Sequence, residues 1–543
     1  MAKTKFTNES TYKNYLESGK EEEFDRLFDL ASQSALNSFG GSYPMYIGGK
    51  AVLAKELLEE RSPIDPVNIK IGSFQKGGRE HAQLAITEAQ KAFDSWRATD
   101  YTERAALFTN AANLLSKKKF GIAAILSYEN GKSRYESVGE VDEAIDFMRY
   151  YANEMIVNKG YLRKTHSAAS TKGVSAGFQG APSNEEKVVI AMKPYGVFGV
   201  IAPFNFPISI SIGMSVGALI TGNTVVFKPS STDNMTMLTG LKIYELFKEA
   251  GLPQGVFNYV TGPGSVIGDE LATNEGVAGI AFTGSKTTGL GMVSKCFSSG
   301  RQKVFIVEMG GKNAAIIART ADLDKAASGV ASAAFGFCGQ KCSALSRVYV
   351  HTSVKEQFIG KLIEKVRYMK IGNPIDKDVY IGPLISESAR QRYEASMRIA
   401  RATGRVLYGG NAVKIGLQGA YVEPAIIETR HDSELVRNEL FLPLITIESF
   451  TDMDEAIRMA NDTEYGLTAG FYSNSKKEIS KFGQSIQAGV MYVNRSISAT
   501  TGAIVGLHTF VGWKGSALTG KGTGSKFYLQ QFMREQSLSL TSK

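Results

Sequence analysis

The chain has 543 residues, 43 % hydrophobic and 21 % charged, which is too long for one core and predicts two or three globular domains. Its net charge of +9 is spread thinly, with Lys117, Lys118 and Lys119 as the longest basic run; this excludes a nucleic-acid tail and leaves a general attraction for anions. Three cysteines (Cys296, Cys338, Cys342) make neither a disulfide framework nor a zinc cluster, no apolar run reaches membrane length, and MAKTKFTNES has no apolar core, so a cytoplasmic protein without metal, membrane or nucleic-acid partner is expected.

In chain order, residues 20–38 carry an apolar stripe (Phe24, Leu27, Leu30, Ala31) behind an acidic face. Tyr46-Ile47-Gly48-Gly49-Lys50 reads as a hairpin turn. Apolar residues at helical spacing from 79 to 115 predict two amphipathic helices, and a third spans 138–157. Residues 164–186 are small, polar and turn-rich, as in an exposed loop or the tip of a long hairpin. Apolar β runs follow at 197–202, 224–227, 257–260 and 279–282, with helical patterns between and after them at 207–220, 235–250, 265–273 and 286–297. A second series starts at Lys303. Its strands are 304–307, 314–317, 347–350, 444–450, 469–472 and 490–493, and its helices 323–335, 354–369, 386–403 and 453–461. This alternation predicts the α/β class: two doubly wound parallel-sheet domains in tandem, joined near Gly300. The tail from 526 to 540 reads as a strand that pairs elsewhere, as across a subunit interface.

Ligands of parallel sheets bind beyond the carboxyl ends of the strands, where helix N-termini point. The residues there carry the chemistry. Asn205, in Ala202-Pro203-Phe204-Asn205-Phe206-Pro207, is either a helix cap or an amide donor to a developing oxyanion. Lys228, in Phe227-Lys228-Pro229-Ser230-Ser231, either reaches a ribose or phosphate or is solvated. Gly284 and Ser285 open a helix and suit a pyrophosphate, although no Gly-x-Gly-x-x-Gly follows a strand. Glu308, between apolar strand and glycines, is either a partly desolvated general base or the partner of Lys312. Cys342 lies among small residues (Gly336, Gly339, Ser343, Ala344) and directly after Lys341, a setting for a reactive thiolate or for a small buried hydrophobe. The five histidines lie in no such junction, which disfavours a Cys–His hydrolase.

Together Pro203-Phe204-Asn205-Phe206-Pro207, Lys228-Pro229, Phe282-Thr283-Gly284-Ser285, Glu308-Met309-Gly310-Gly311-Lys312-Asn313, Gly339-Gln340-Lys341-Cys342 and Glu439-Leu440-Phe441-Leu442-Pro443 come in an order that resembles the aldehyde dehydrogenase superfamily. The resemblance implies a Rossmann-like cofactor domain (1–159 and 194–302), a catalytic domain (303–506) and a small β oligomerisation element (160–193 with 520–543), hence a homo-oligomer. It implies Cys342 as nucleophile, Asn205 as oxyanion donor and Glu308 as the base that activates water. It further implies Lys228, Ser231, Gly284, Ser285, Glu439 and Phe441 as contacts of NADP or NAD.

Asn494-Arg495, Thr501-Gly502-Ala503-Ile504-Val505-Gly506 and Trp513-Lys514 resemble the 1-pyrroline-5-carboxylate dehydrogenase branch, which acts on glutamate γ-semialdehyde. In that pattern Lys341, Ser343, Gly502 and Ala503 hold the substrate carboxylate, while Phe206 and Phe510 wall its aliphatic part. Ser231 stands where much of the superfamily has Glu, which predicts tolerance of NADP. Leu442 stands for a Gly, and Thr509 and Val511 flank Phe510 in place of Pro and Gly. Another aldehyde or semialdehyde is the alternative substrate, a non-catalytic member the alternative class, and thiol ester cleavage a side activity that the same residues would support.

Overall fold

A computed structural model describes residues 6–166, 186–231 and 235–541. Two seven-stranded sheets organise it. In the first, Val304–Glu308, Val277–Thr283, Val197–Ile201, Thr224–Lys228 and Phe257–Tyr259 lie side by side in that order, all parallel. The hairpin Met45–Ile47/Lys50–Val52 closes its far edge antiparallel. The second sheet runs Arg405–Tyr408, Ala425–Glu428, Leu444–Phe450, Leu345–His351, Asn313–Ile317, Thr468–Tyr472, Val490–Val493, parallel except for its first, edge strand. Most strand residues of both sheets are buried, which matches sheets covered on two faces and explains why the strands read as unbroken apolar runs rather than alternating ones.

Two differences from the sequence reading bear on function. The domain boundary expected at 302/303 falls one strand early. Val304–Glu308 pairs with Val277–Thr283 from Gly279↔Val304 to Thr283↔Glu308, so it completes the first sheet and sets Glu308 at that sheet's carboxyl edge. Val304 and Phe305 are only half-buried, as suits an edge strand. The second difference is the strands Arg405–Tyr408 and Ala425–Glu428, which lie in a stretch whose sequence shows no strand–helix rhythm.

The tail forms a short 3₁₀ turn, Tyr528–Phe532, and then the strand Met533–Thr541. That strand pairs antiparallel with Glu186–Pro194 of the same chain, and Glu186–Pro194 pairs in turn with Leu162–His166. The tail therefore finds its strand partner within the chain. The polar segment expected as a hairpin tip lies mostly at 167–185, outside the described residues.

Two long helices, Tyr101–Asn130 and Arg134–Val157, pack against each other and against the helices Ser209–Ile220 and Met237–Glu249. Asp100 accepts from the Thr102 N–H at 2.8 Å and starts the first; Ser133 accepts from Glu136 N–H and starts the second. Both helices bring ionisable groups into the interior. Glu129 and Glu60 cap the helix Met237–Glu249, accepting from the N–H groups of Thr239 (3.0 Å) and Met237 (3.1 Å). Burial raises both carboxyls, Glu129 to about 7; the Glu129 charge raises Glu60 further, while a hydrogen bond from Glu60 partly offsets the rise at Glu129.

Candidate active site

Cys342 sits between the helix Leu323–Phe335 and the strand Leu345–His351 of the second sheet. The approach to it is strained. Phe337, Cys338 and Gly339 all have left-handed φ (49°, 54° and 65°), two of them without the freedom of glycine. Such residues cost about 1–3 kcal/mol each and persist only where packing holds them. Here Phe337 and Cys338 are fully buried, and the Cys338 thiol donates to Gly382 O at 3.0 Å. Gln340 ties the next step: its Oε1 accepts from Ile385 N–H at 2.9 Å.

The half-buried Cys342 is fixed through its carbonyl. Asn313 Nδ2 donates to Cys342 O and to Ala344 O, both at 2.8 Å, while Asn313 Oδ1 accepts from Thr468 N–H. Gly311 lies so close that a Cβ there would come within 2.4 Å of Cys342 O, so only glycine fits. The Asn205 side chain, buried at 4 % exposure, donates one Nδ2 hydrogen to Gln340 O at 3.0 Å. A primary amide carries two N–H donors, so one is left for a substrate oxygen.

The electrostatics differ from the sequence reading at one point. Lys341 was expected to lower the Cys342 pKa. Instead its ammonium pairs with Glu136, which outweighs burial and holds it charged. Burial pushes the Cys342 thiol up to about 12, and the carboxyls of Glu439 and Glu308 push it the same way. The site thus holds a protonated thiol between two acids. Burial also raises Glu308 well above the carboxylate range; Gly512 N–H is its one opposing contact, and Glu308 Oε2 is buried with no hydrogen-bond partner among the described residues. Lys312 does not pair with it: the Lys312 Nζ is itself buried and has no hydrogen-bond partner among the described residues.

At the first sheet's edge, Lys228 is 4 % exposed and donates to Pro229 O (3.1 Å) and Ser231 Oγ (2.9 Å). Burial depresses it to about 8. The Ser231 hydroxyl donates in turn to Gly262 O. Ser285 caps the helix Lys286–Ser298, accepting from Thr288 N–H at 3.2 Å, and the preceding Gly284 donates its N–H to Glu308 O. Glu439 accepts from Gly311 N–H at 2.8 Å, and burial raises it to about 7. Phe441, at φ 58°, packs edge-on to Phe204 at 5.9 Å.

Of the expected substrate contacts, Ser343 is tied through its carbonyl to Thr500 Oγ1 at 2.8 Å, two residues before the Gly502-Ala503 turn. Arg495 steadies that turn by donating to Thr501 O and Gly502 O. Phe206 lies under the ammonium of Lys132, and the half-buried Phe510 bridges to Thr523. Sequence reasoning gave no role to Asn313, Arg495, Glu136, Lys132 or Glu140. The signal for the last group was carboxylates at helical spacing (Glu136, Glu140) on a helix with few exposed positions.

Comparison with known proteins places this geometry. The aldehyde dehydrogenase family model matches residues 54–538. The chain belongs to the aldehyde dehydrogenase family. Among aldehyde dehydrogenases it is similar to 1-pyrroline-5-carboxylate dehydrogenase 2 of Bacillus subtilis (35 % identity, 94 % of this chain and 95 % of the relative). It is equally similar to 1-pyrroline-5-carboxylate dehydrogenase 1 of Halalkalibacterium halodurans (34 %, covering 95 % and 96 %). The solved aldehyde dehydrogenase 1-pyrroline-5-carboxylate dehydrogenase from Thermus, with bound NAD, superposes over the full length of both chains with TM-score 0.90 at 32 % identity. This aldehyde dehydrogenase is accordingly an oxidoreductase.

The residues present fit a nicotinamide dinucleotide. A buried Lys228 ammonium that donates to a carbonyl and a hydroxyl has one N–H to spare for a ribose or phosphate oxygen. Glu439 has a second carboxyl oxygen to offer a ribose hydroxyl, and the N-terminus of a 13-residue helix faces the same edge.

Proposed function

We propose that this enzyme oxidises L-glutamate γ-semialdehyde, the open form of 1-pyrroline-5-carboxylate, to L-glutamate in proline catabolism, with NAD or NADP as hydride acceptor. The observation that carries the reading is the convergence of Cys342, Asn205 and Glu308, with Thr500, two residues before the Gly502-Ala503 turn, bonded to the Ser343 carbonyl. The names of the relatives above support the substrate.

Cys342 gives up its thiol proton to solvent water and its Sγ adds to the aldehyde carbon, the carbonyl π pair moving onto oxygen as the oxyanion. The spare Asn205 N–H and the Cys342 backbone N–H receive the developing oxyanion. A nicotinamide dinucleotide held by Lys228, Glu439 and the N-terminus of Lys286–Ser298 would supply the hydride acceptor for the thiohemiacetal carbon. The thioester left on Cys342 is then opened by a water that passes its proton to the ionised Glu308, which releases the carboxylate and the thiol. Glu308 Oε2 has no hydrogen-bond donor among the described residues, which leaves its acceptor capacity free for that water. Lys341, Ser343 and the Gly502-Ala503 turn would hold the substrate carboxylate, with Lys341 shared between it and Glu136. Phe206 and Phe510 would wall the aliphatic chain.

Ser231 supports use of NADP as well as NAD, because a hydroxyl bonded to Lys228 carries no charge to repel a 2′-phosphate. The first sheet with the N-terminal helices is read as the cofactor-binding domain, the second as the catalytic domain. The three-stranded sheet of Leu162–His166, Glu186–Pro194 and Met533–Thr541 is read as the oligomerisation element of a homo-oligomer; Leu162, Leu538 and Leu540 on it are exposed. No helix among the described residues is long and apolar enough to cross a membrane.

The test is steady-state kinetics with glutamate γ-semialdehyde and with simple aliphatic aldehydes of equal length, each with both cofactors. The expected result is a kcat/KM for the carboxylated substrate higher by about 10²-fold, the worth of a charge-assisted anchor of roughly 3 kcal/mol. Equal values for both substrates would refute the carboxylate anchor.

A further inference from the structure

A second buried ion pair lies just behind the site. Lys132 and Glu140 have side chains at 0 % exposure and pair with each other at the junction of the two long helices. The segment that carries Asn205 is held from this junction at three points. Asn130 Nδ2 reaches Phe204 O at 3.4 Å. The Lys132 ammonium sits 3.5 Å above the centre of the Phe206 ring. Glu140 Oε1 accepts from the N–H groups of Ile208 (2.9 Å) and Ser209 (3.2 Å), the first of the helix Ser209–Ile220. Its carboxylate thus caps that helix with a full negative charge where the dipole favours one. The same Lys132 ammonium lies 4.9 Å from the ring of Phe337, in the left-handed turn that leads to Cys342.

We propose that Lys132, through its buried pair with Glu140, is a positioning residue that keeps the Asn205 amide in register with the Cys342 turn. It rests on the reading of Asn205 as oxyanion donor. Lys132 touches no reacting atom in this scheme. Cation–ring contact on Phe206 and ion pairing with the carboxylate that caps Ile208 and Ser209 fix the residues that follow Asn205, while Asn130 holds Phe204 on its other side. Misplacement of such a donor by a fraction of an ångström weakens it where charge develops and leaves the rest of the binding site intact.

The experiment compares Lys132→Met and Glu140→Gln, each alone and combined with Asn205→Ala. Asn205→Ala alone should lower kcat by about 10²–10³-fold, the usual loss of one oxyanion donor. If it does not, the oxyanion reading fails and the positioning role falls with it. Lys132→Met should lower kcat for aldehyde oxidation by about tenfold or more, with cofactor KM and the rate of Cys342 alkylation by iodoacetamide both within about twofold of the parent. In the Asn205→Ala background the same change should cost less than about twofold, because two residues acting through one donor are not additive. Equal losses in the two backgrounds, or an alkylation rate that falls along with kcat, would overturn the proposal. Should Lys132→Met not fold, Glu140→Gln decides by the same comparison, since its amide oxygen still accepts from Ile208 and Ser209 while the charge that holds Lys132 is gone.

Discussion

At the residue scale the site pairs a nucleophile held as the thiol with a base whose buried carboxyl is biased toward its protonated form, and turnover needs the thiolate of one and the carboxylate of the other. Cys342→Ala should lower aldehyde oxidation by at least about 10³-fold while cofactor affinity, read by equilibrium titration, stays within a few-fold. Surviving activity would mean that the nucleophile is another group. The pH profile follows from Glu308. Burial raises its folded pKa, so Glu308 becomes an ionised base, able to accept a proton, only at a higher pH than a solvated carboxyl does. The deacylation step, isolated by single-turnover release of product, should therefore speed up as pH rises through a pKa well above the ordinary carboxylate range. Glu308→Gln should flatten that limb and slow deacylation by about 10²–10⁴-fold. A wild-type rate independent of pH from 6 to 9 would remove Glu308 from this role.

At the scale of elements, Glu60 and Glu129 link the entry strands, the long helix Tyr101–Asn130 and the helix beyond Lys228. Their folded pKa values are raised above the unfolded value, so the folded chain keeps a proton that the unfolded chain has already lost. The stability they contribute is full below the unfolded pKa and falls as pH climbs from there through about 7. Glu129→Gln should narrow the drop in Tm between pH 5 and pH 8; an unchanged drop would place the titration elsewhere.

Much of this scale was legible in the sequence. Leu323–Phe335, Leu444–Phe450, Met453–Asn461 and Val490–Val493 match their expected bounds because apolar period and capping residues agree there. The strand Val304–Glu308 was also anticipated, but its sheet was not, since pairing is decided by tertiary register that a local pattern does not contain. The same holds at the site. Cys342, Asn205 and Glu308 stand out by motif and junction, whereas the hold of Glu136 on Lys341 spans 205 positions of sequence and leaves no local mark.

At the scale of the molecule, the reactive edge draws Glu308 from the end of one sheet and Cys342 from the approach to the other, so relative placement of the sheets sets the chemistry. Deletion of 533–543 removes the strand Met533–Thr541 and bares the edge of Glu186–Pro194 along nine pairings. Light scattering after size exclusion should then show the mass of a single chain where the parent shows a multiple; an unchanged mass would move the subunit contact to another surface.

The depressed acidity of Cys342 has a consequence for survival between turnovers. Peroxide and disulfides attack thiolates, and a thiol held near 12 by burial and two acids exposes almost none of that form at neutral pH. The nucleophile is thereby shielded from stray oxidants by the same carboxyls that surround it during catalysis. Loss of Glu439 would then shorten the lifetime of the stored enzyme in air.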